Sequence, residues 1–180
     1  MKIFAISGSL RARSSNTELL RAAPLVAPAT WIFDLYDGLG ALPHFNPDLD
    51  AEGSTPPEPV RDLRARVAAA DAVLICSPEY AHGVAGSMKN ALDWLVSDPE
   101  MVGKPVGLLN ASARAVIAHE ALAETLRTMS TALVPAASIV VALDGRRLDS
   151  AGIAADAALA ARLRSALDAL GEAVAARSPG

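Results

Sequence analysis

Side chains suited to binding an anion are concentrated in residues 8–17, directly after the first apolar run of the chain. Two arginines, Arg11 and Arg13, offer positive charge in this segment. The side-chain donors around them are hydroxyl and amide groups, at Ser9, Ser15, Asn16 and Thr17. A helix that begins here has first-turn amides without intrahelical acceptors, and its dipole adds positive potential. The segment therefore predicts a phosphate-binding loop.

The same residue types also suit a simpler role. Serine and asparagine are frequent before helices because their side chains accept hydrogen bonds from the first amides. Ser15 or Asn16 is the expected N-cap, so a capped helix behind a polar loop is the alternative interpretation. The G-x-G-x-x-G pattern is absent because only Gly8 is present, and no Gly-Lys-Ser/Thr follows. Both common nucleotide-binding loops are therefore excluded.

A second group of chemistry-bearing residues follows the apolar run at residues 72–76. It combines turn formers, an aromatic ring and an imidazole, in the order Ser77, Pro78, Glu79, Tyr80, Ala81, His82 and Gly83. Proline fixes the backbone, and glycine allows close approach. Such a loop can lie along a flat aromatic ligand while its amides bind the polar edge. A phosphate at one end and a flat heteroaromatic ring at the other describe a mononucleotide, and FMN is the natural candidate.

Alternating strands and helices must position these loops. Five apolar runs predict strands at residues 3–6, 30–33, 72–76, 105–109 and 134–143. Helical spacing predicts a helix from about Leu19 and further helices over residues 60–70, 85–96, 116–129 and 151–176. The alternation predicts an α/β three-layer sandwich with a five-stranded parallel sheet in the flavodoxin-like order 2-1-3-4-5. In that order the loops after strands one, three and four share the ligand-binding edge.

Length and composition restrict the class of protein. The chain has 180 residues, of which 52% are hydrophobic, so we expect one domain over residues 1–176 and a frayed tail at 177–180. A net charge of −4 disfavours general nucleic-acid binding. The single cysteine, Cys76, excludes an internal disulfide and is expected to be an inert core thiol. No apolar run reaches membrane-spanning length, so a cytoplasmic protein is expected.

Several features allow more than one interpretation. Residues 40–59 contain five prolines and predict a loop that is a functional flap, a subunit contact or disordered. Tyr80 could cover a cofactor or pack against the next helix, and His82 could approach the ligand, contact a neighbouring subunit or face solvent. Trp94 is expected to be a packing anchor. The three histidines and one cysteine lack metal-ligand spacing, so no metal site is predicted.

The motifs resemble those of the NADPH-dependent FMN reductase family. The similarity lies in Gly8-Ser9-Leu10-Arg11 with Ser15-Asn16, then in Pro78-Glu79-Tyr80, and then in Lys89-Asn90-Ala91-Leu92-Asp93-Trp94. The resemblance implies that the FMN phosphate is held by Ser9, Arg11, Ser15, Asn16 and Thr17. It implies that the isoalloxazine ring is lined by Pro78, Glu79, Tyr80, Ala81, His82 and Gly83. Ser112 and its neighbours would close the site.

The resemblance also implies an activity. Hydride would pass from NADPH or NADH to bound flavin, and then electrons to a small acceptor such as a quinone, free flavin, azo compound or metal oxyanion. No side chain need act as a nucleophile, because the cofactor carries the chemistry. A homodimer or homotetramer is implied, with the neighbouring subunit completing the site. The alternatives are a flavodoxin-type FMN electron carrier and a flavodoxin-like regulatory domain without cofactor.

This sequence departs from the family pattern in three places. Ala81 stands where many members have asparagine, Ala85 replaces a common proline, and residues 110–114 are not a Gly-rich turn. The 2′-phosphate of NADPH would need an arginine, for which Arg11, Arg13 and Arg114 are unranked candidates.

Overall fold

Parallel strands form the centre of the molecule. The structure, a computed structural model, describes residues 1–143 and 145–177. Its strands are β1 Lys2–Ser7, β2 Ile32–Leu35, β3 Ala72–Cys76, β4 Glu79–Tyr80, β5 Gly83–Val84, β6 Pro105–Leu109 and β7 Ala132–Leu133. The main sheet has the order β2-β1-β3-β6-β7, and all of its pairs are parallel. The predicted order 2-1-3-4-5 is confirmed, since β6 and β7 take the fourth and fifth places.

Helices cover both faces of the sheet. They are α1 Ser15–Val26, α2 Glu58–Ala68, α3 Gly86–Leu95, α4 Val116–Thr128, α5 Ser150–Ala155 and α6 Ala157–Arg177. Strand side chains alternate between two cores, as the period of two requires. Phe4 and Ile6 pack with α2, α3 and α4, whereas Ile3 and Ala5 pack with α1, α5 and α6. The predicted three-layer α/β sandwich is therefore present.

The register brings three strand ends to one level. Ser7, the last residue of β1, pairs with Cys76, the last residue of β3. Cys76 in turn pairs with Leu109, the last residue of β6. The loops that follow these strands therefore leave the sheet side by side, as the strand order predicts.

The predicted fifth strand at residues 134–143 is wrong in extent. β7 ends at Leu133, and a short 3₁₀ turn follows at Pro135–Ala137. The Ala137 amide donates to the Val134 carbonyl at 3.0 Å, so the chain turns away from β6 after Val134. The chain rejoins the sheet only at Val140, which forms a single bridge with Asn110.

The predicted closing helix at residues 151–176 is two helices rather than one. Asp156, between α5 and α6, has extended backbone angles of φ −76° and ψ 112°. Its carboxylate accepts hydrogen bonds from the amides of Ala158 and Leu159 and so caps α6. The Arg146 guanidinium donates a hydrogen bond to the Asp156 carboxylate at 2.6 Å. This bond, together with those from the two amides, lowers the pKa of Asp156. α6 extends to Arg177, and the expected fraying at 178–180 lies outside the described residues.

Residues 40–59 are anchored rather than disordered. Trp94 is fully buried, donates to the carbonyl of Pro43 at 2.8 Å and packs edge-on against Phe45. Asn90 accepts from the Phe45 amide at 2.8 Å. Arg64 of α2 pairs with Asp50 at 2.9 Å. The packing role predicted for Trp94 is confirmed.

None of the helices in the described part of the chain is long and apolar enough to cross a membrane.

Candidate functional site

The loop after β1 ends in a capped helix, but the cap differs from the prediction. Ser14, and not Ser15 or Asn16, is the N-cap of α1, and its hydroxyl accepts from the Thr17 amide at 3.4 Å. Three adjacent polar residues can each cap, and the backbone of Ser14 is the extended one that capping requires. Ser15 and Asn16 consequently occupy the first two helical positions. Their amides have no intrahelical acceptor and remain available to an anion.

Gly8 allows the loops after β1 and β3 to touch. Its amide donates to the carbonyl of Cys76 at 2.9 Å, and its carbonyl accepts from the Ser87 hydroxyl at 3.0 Å. A Cβ atom at Gly8 would lie 2.2 Å from Ser77 Oγ and 2.8 Å from Ser77 Cβ. Only glycine fits at this contact. The loop after β1 and the loop after β3 are thereby held against each other.

A buried thiol orients Asn16. The thiol of Cys76 lies 3.1 Å from Asn16 Oδ1 and donates to it, and Cys76 is fully buried. Burial raises the pKa of Cys76 to about 12, so the thiol is protonated at neutral pH. The prediction that Cys76 lies in the core is confirmed. Its hydrogen bond also fixes the side chain of Asn16 beside the first turn of α1.

The predicted rigid loop at residues 77–83 contains a β-hairpin. β4 and β5 pair antiparallel through Glu79 with Val84 and Tyr80 with Gly83. The two turn residues, Ala81 and His82, have φ of 49° and 57°. This left-handed conformation favours asparagine over alanine, so Ala81 is a less favourable turn residue than asparagine would be.

Glu79 connects this hairpin to α4. Its carboxylate accepts from the Ala118 amide at 2.9 Å, in the first turn of α4, where the N-cap residue Ala115 provides no side-chain bond. The other carboxylate oxygen lies 3.1 Å from His82 Nδ1. The imidazole itself is 79% exposed. Glu79 therefore acts as a helix cap supplied from outside the helix, and it keeps the hairpin against α4.

We expect Glu79→Gln to lower the free energy of unfolding by about 1 kcal/mol, because a neutral amide caps a helix dipole less well than a carboxylate. Urea unfolding followed by circular dichroism measures this. Glu124→Gln is the matched control, since Glu124 is an exposed carboxylate near the other end of α4. Equal losses in the two variants would show that the negative charge of Glu79 contributes nothing specific at the start of α4.

Asn110 shapes the loop after β6. It is buried; its side chain donates to the Ala115 carbonyl at 2.8 Å and accepts from the Ser112 amide at 3.0 Å. Its backbone pairs with Ile139 and Val141. This network fixes residues 110–115 at the sheet edge and so positions Ser112.

Two adjoining clefts lie at this edge, with volumes of about 800 and 770 Å³. Their common wall joins the β1 and β3 loops to a further loop before α5, through Arg11, Ser15, Asn16, Pro78, Arg146 and Arg147. The larger cleft adds, among others, Ser9, Arg13 and Tyr80. The smaller adds, among others, Glu79, His82, Ser112 and Arg114. Four loops far apart in sequence thus form one composite site.

Most of the residues named from the sequence lie in these clefts, but three do not line them. Thr17 is turned to the sheet, with its hydroxyl 2.8 Å from that of Ser7. Ala81 and Gly83 belong to the hairpin turn and β5. Tyr80, which is 52% exposed, lines the larger cleft rather than the smaller one. The roles predicted for all of these residues toward FMN stay predictions.

Sequence reasoning missed two cationic residues of the site, Arg146 and Arg147. Both line both clefts. The available signal was the pair of consecutive arginines after Gly145 in a strand-to-helix connection. Because the preceding strand was predicted to run through residue 143, the sequence did not indicate that these arginines lie close to the start of α1.

Comparisons with known proteins agree with this geometry. The sequence profile of the NADPH-dependent FMN reductase family matches residues 1–145. An NAD(P)H-dependent FMN reductase of Pseudomonas aeruginosa is 40% identical over 115 residues, which span 63% of this chain and 60% of that protein. A 2-hydroxy-1,4-benzoquinone reductase of Burkholderia is 34% identical over 159 residues, or 84% of each chain.

The fold of a solved flavoenzyme is also similar. FerB, an NAD(P)H:(acceptor) oxidoreductase from Paracoccus denitrificans, superposes with a TM-score of 0.79 and 29% identity over 97% of each chain. The profile match covers well over half of the sequence. The chain therefore belongs to the NADPH-dependent FMN reductase family, a family of oxidoreductases that use NAD(P)H.

Proposed function

We propose that this protein binds FMN and uses NAD(P)H to reduce a small acceptor such as a quinone. The observation that carries the proposal is the composite cleft, in which an anion-binding end adjoins a wall suited to a flat ring. The names of the relatives support a quinone or flavin acceptor. Azo compounds and metal oxyanions are further candidates for the same open cleft.

The donor set at the common wall fits the phosphate of FMN. The Ser15 and Asn16 amides stand at the positive end of the α1 dipole, where phosphate groups bind in many proteins. Arg11 lines both clefts and adds a guanidinium that pairs well with a dianion. Among the described residues Arg11 forms no ion pair that a phosphate would have to displace.

The smaller cleft fits the ring system. Its apolar lining comes from Pro78, Ala111, Ala115 and Leu143, against which an aromatic ring can pack. Ser77, Glu79 and His82 of the β3 loop line the same cleft, and their polar groups suit the polar edge of an isoalloxazine. When bound, FMN would supply the hydride-accepting and electron-donating chemistry. The protein residues bind, orient and exclude water, and none is assigned as a nucleophile.

A visible absorption spectrum tests the proposal. We expect purified protein to carry flavin bands or to acquire them on FMN addition, to lose them when NADPH is added anaerobically, and to regain them with a quinone. Colourless protein that takes up no FMN would favour the regulatory alternative. Flavin-loaded protein that NADPH does not bleach would instead favour an electron carrier.

Assembly as a homodimer or homotetramer is part of the proposal. Large apolar side chains are exposed beside the clefts: Tyr80 on the hairpin, and Val116 and Ile117 in the first turn of α4. An exposed apolar group next to a ligand site suits contact with a neighbouring subunit. Light scattering coupled to gel filtration gives the oligomeric state, and a monomeric mass at micromolar concentration would contradict this part of the proposal.

A further inference from the structure

The larger cleft carries more positive charge than one phosphate needs. Four arginines line it: Arg11, Arg13, Arg146 and Arg147. The FMN phosphate proposed above has the α1 amides and Arg11 as partners. Three guanidinium groups therefore remain for another ligand or for the protein itself.

The two acidic residues in the lining already have other partners. Glu18 pairs with Arg21 at 2.7 Å and also accepts from the Ser150 amide at 2.9 Å. Asp149 is the N-cap of α5 and accepts from the Gly152 amide at 2.8 Å. Neither carboxylate forms an ion pair with the arginines that line the cleft.

The arginines themselves differ in how they are engaged. Arg146 pairs with Asp156 at 2.6 Å, so part of its charge is compensated. Arg13 and Arg147 form no ion pair with any described residue, and both belong to the wall of the larger cleft. Two unpaired guanidinium groups in one concave surface concentrate positive potential and favour an anion.

Position separates this pair from the FMN ring. Arg13 lines the larger cleft alone, whereas Ala111, Ala115 and Leu143 line only the smaller one and Pro78 borders both. Arg147 borders both clefts. A ligand in the larger cleft would therefore lie next to bound FMN and leave the surface of Ala111, Ala115 and Leu143 to the ring, as a second substrate must.

We propose that Arg13 and Arg147 form a second phosphate subsite, which binds a phosphate group of the nicotinamide co-substrate. This rests on the proposed function. Two guanidinium groups match a phosphate dianion in charge and in bidentate geometry. The phosphate has two sources, the 2′-phosphate that only NADPH has and the pyrophosphate that NADH shares.

Nucleotide fragments without a nicotinamide test the subsite independently of turnover. Titration calorimetry on FMN-loaded protein would compare adenosine 2′,5′-bisphosphate with ADP for wild type, Arg13→Gln and Arg147→Gln. We expect each substitution to weaken binding of the bisphosphate about tenfold, which is the usual effect of one charge-assisted contact. Unchanged ADP binding would assign the subsite to the 2′-phosphate. An equal loss for ADP would assign it to the pyrophosphate.

Arg61→Gln provides the matched control. Arg61 is an exposed arginine of α2 that lines neither cleft and forms no ion pair with a described residue. It reports the effect of losing one positive charge at long range. We expect its affinities for FMN and for both fragments to match those of wild type.

Kinetics supply the second readout. With a 2′-phosphate subsite, the KM for NADPH should rise about tenfold in Arg147→Gln while the KM for NADH stays constant. The subsite is refuted if wild type binds neither fragment, if the variants bind both as wild type does, or if they lose FMN affinity to the same extent. A wild type that binds no FMN, or is not reduced by NADPH, contradicts the proposed function instead.

Discussion

Replacing Asn16 with aspartate is expected to weaken FMN binding about thirtyfold or more. The side chain lies in the first turn of α1, at the wall where the phosphate is proposed to bind. Two unit charges of like sign 4 Å apart repel by about 4 kcal/mol at an effective dielectric constant of 20, and salt reduces this. Fluorescence titration of the apoprotein with FMN measures the affinity, and the loss should shrink as ionic strength rises.

The fold should tolerate this substitution. Aspartate has the shape of asparagine and retains an oxygen for the Cys76 thiol, which lies 3.1 Å from Asn16 Oδ1. Asn46→Asp makes the same charge change at an exposed loop residue outside both clefts and should leave FMN affinity unaltered. Equal affinity of Asn16→Asp and wild type at matched salt would mean that the phosphate does not bind at this loop.

Substituting alanine for Gly8 should disrupt both the fold at the sheet edge and the site. A Cβ atom there would lie 2.2 Å from Ser77 Oγ and 3.1 Å from Ser77 Cα, so the backbone of one loop must move. Overpacking of this kind costs about 1–3 kcal/mol. We expect the free energy of unfolding to fall by that amount in urea. FMN affinity should fall about tenfold, because the two loops that grip the phosphate and the ring separate.

Two further variants distinguish the contact from a general effect of an added methyl group. Gly86→Ala places a Cβ where no atom lies within 4 Å, at the start of α3, and should leave stability equal or slightly higher. Ser77→Gly in the Gly8→Ala background removes the nearest clashing atoms and should restore part of both losses. A Gly8→Ala protein as stable as wild type would contradict the close contact of the loops.

The strands were predictable where their residues are buried on both faces. Residues 3–6, 72–76 and 105–109 are apolar runs, and they lie inside β1, β3 and β6 or coincide with them. A strand covered by helices on both sides has no polar face, so its composition alone distinguishes it. Once these strands alternate with helices, the right-handed crossover rule leaves few strand orders to consider.

Local choices between similar residues were less predictable. Ser14, Ser15 and Asn16 are all good caps, and the choice depends on which residue adopts extended backbone. The hairpin at residues 79–84 requires left-handed angles at Ala81 and His82, which alanine does not favour. Packing of Glu79 on the first turn of α4 stabilises that hairpin, and this partner is 39 residues distant.

The apolar runs of this chain were sufficient to predict a parallel α/β sheet, its strand order and the edge at which a mononucleotide would bind. Residue type identifies the buried strands, and the spacing of strands and helices limits how they can connect. The sequence alone did not show which arginines lie at that edge. Arg146 and Arg147 line it because the segment after β7 returns to the sheet edge at Asn110 and because Arg146 pairs with Asp156 between α5 and α6. Such positions follow from packing between distant segments, which only the folded chain brings together.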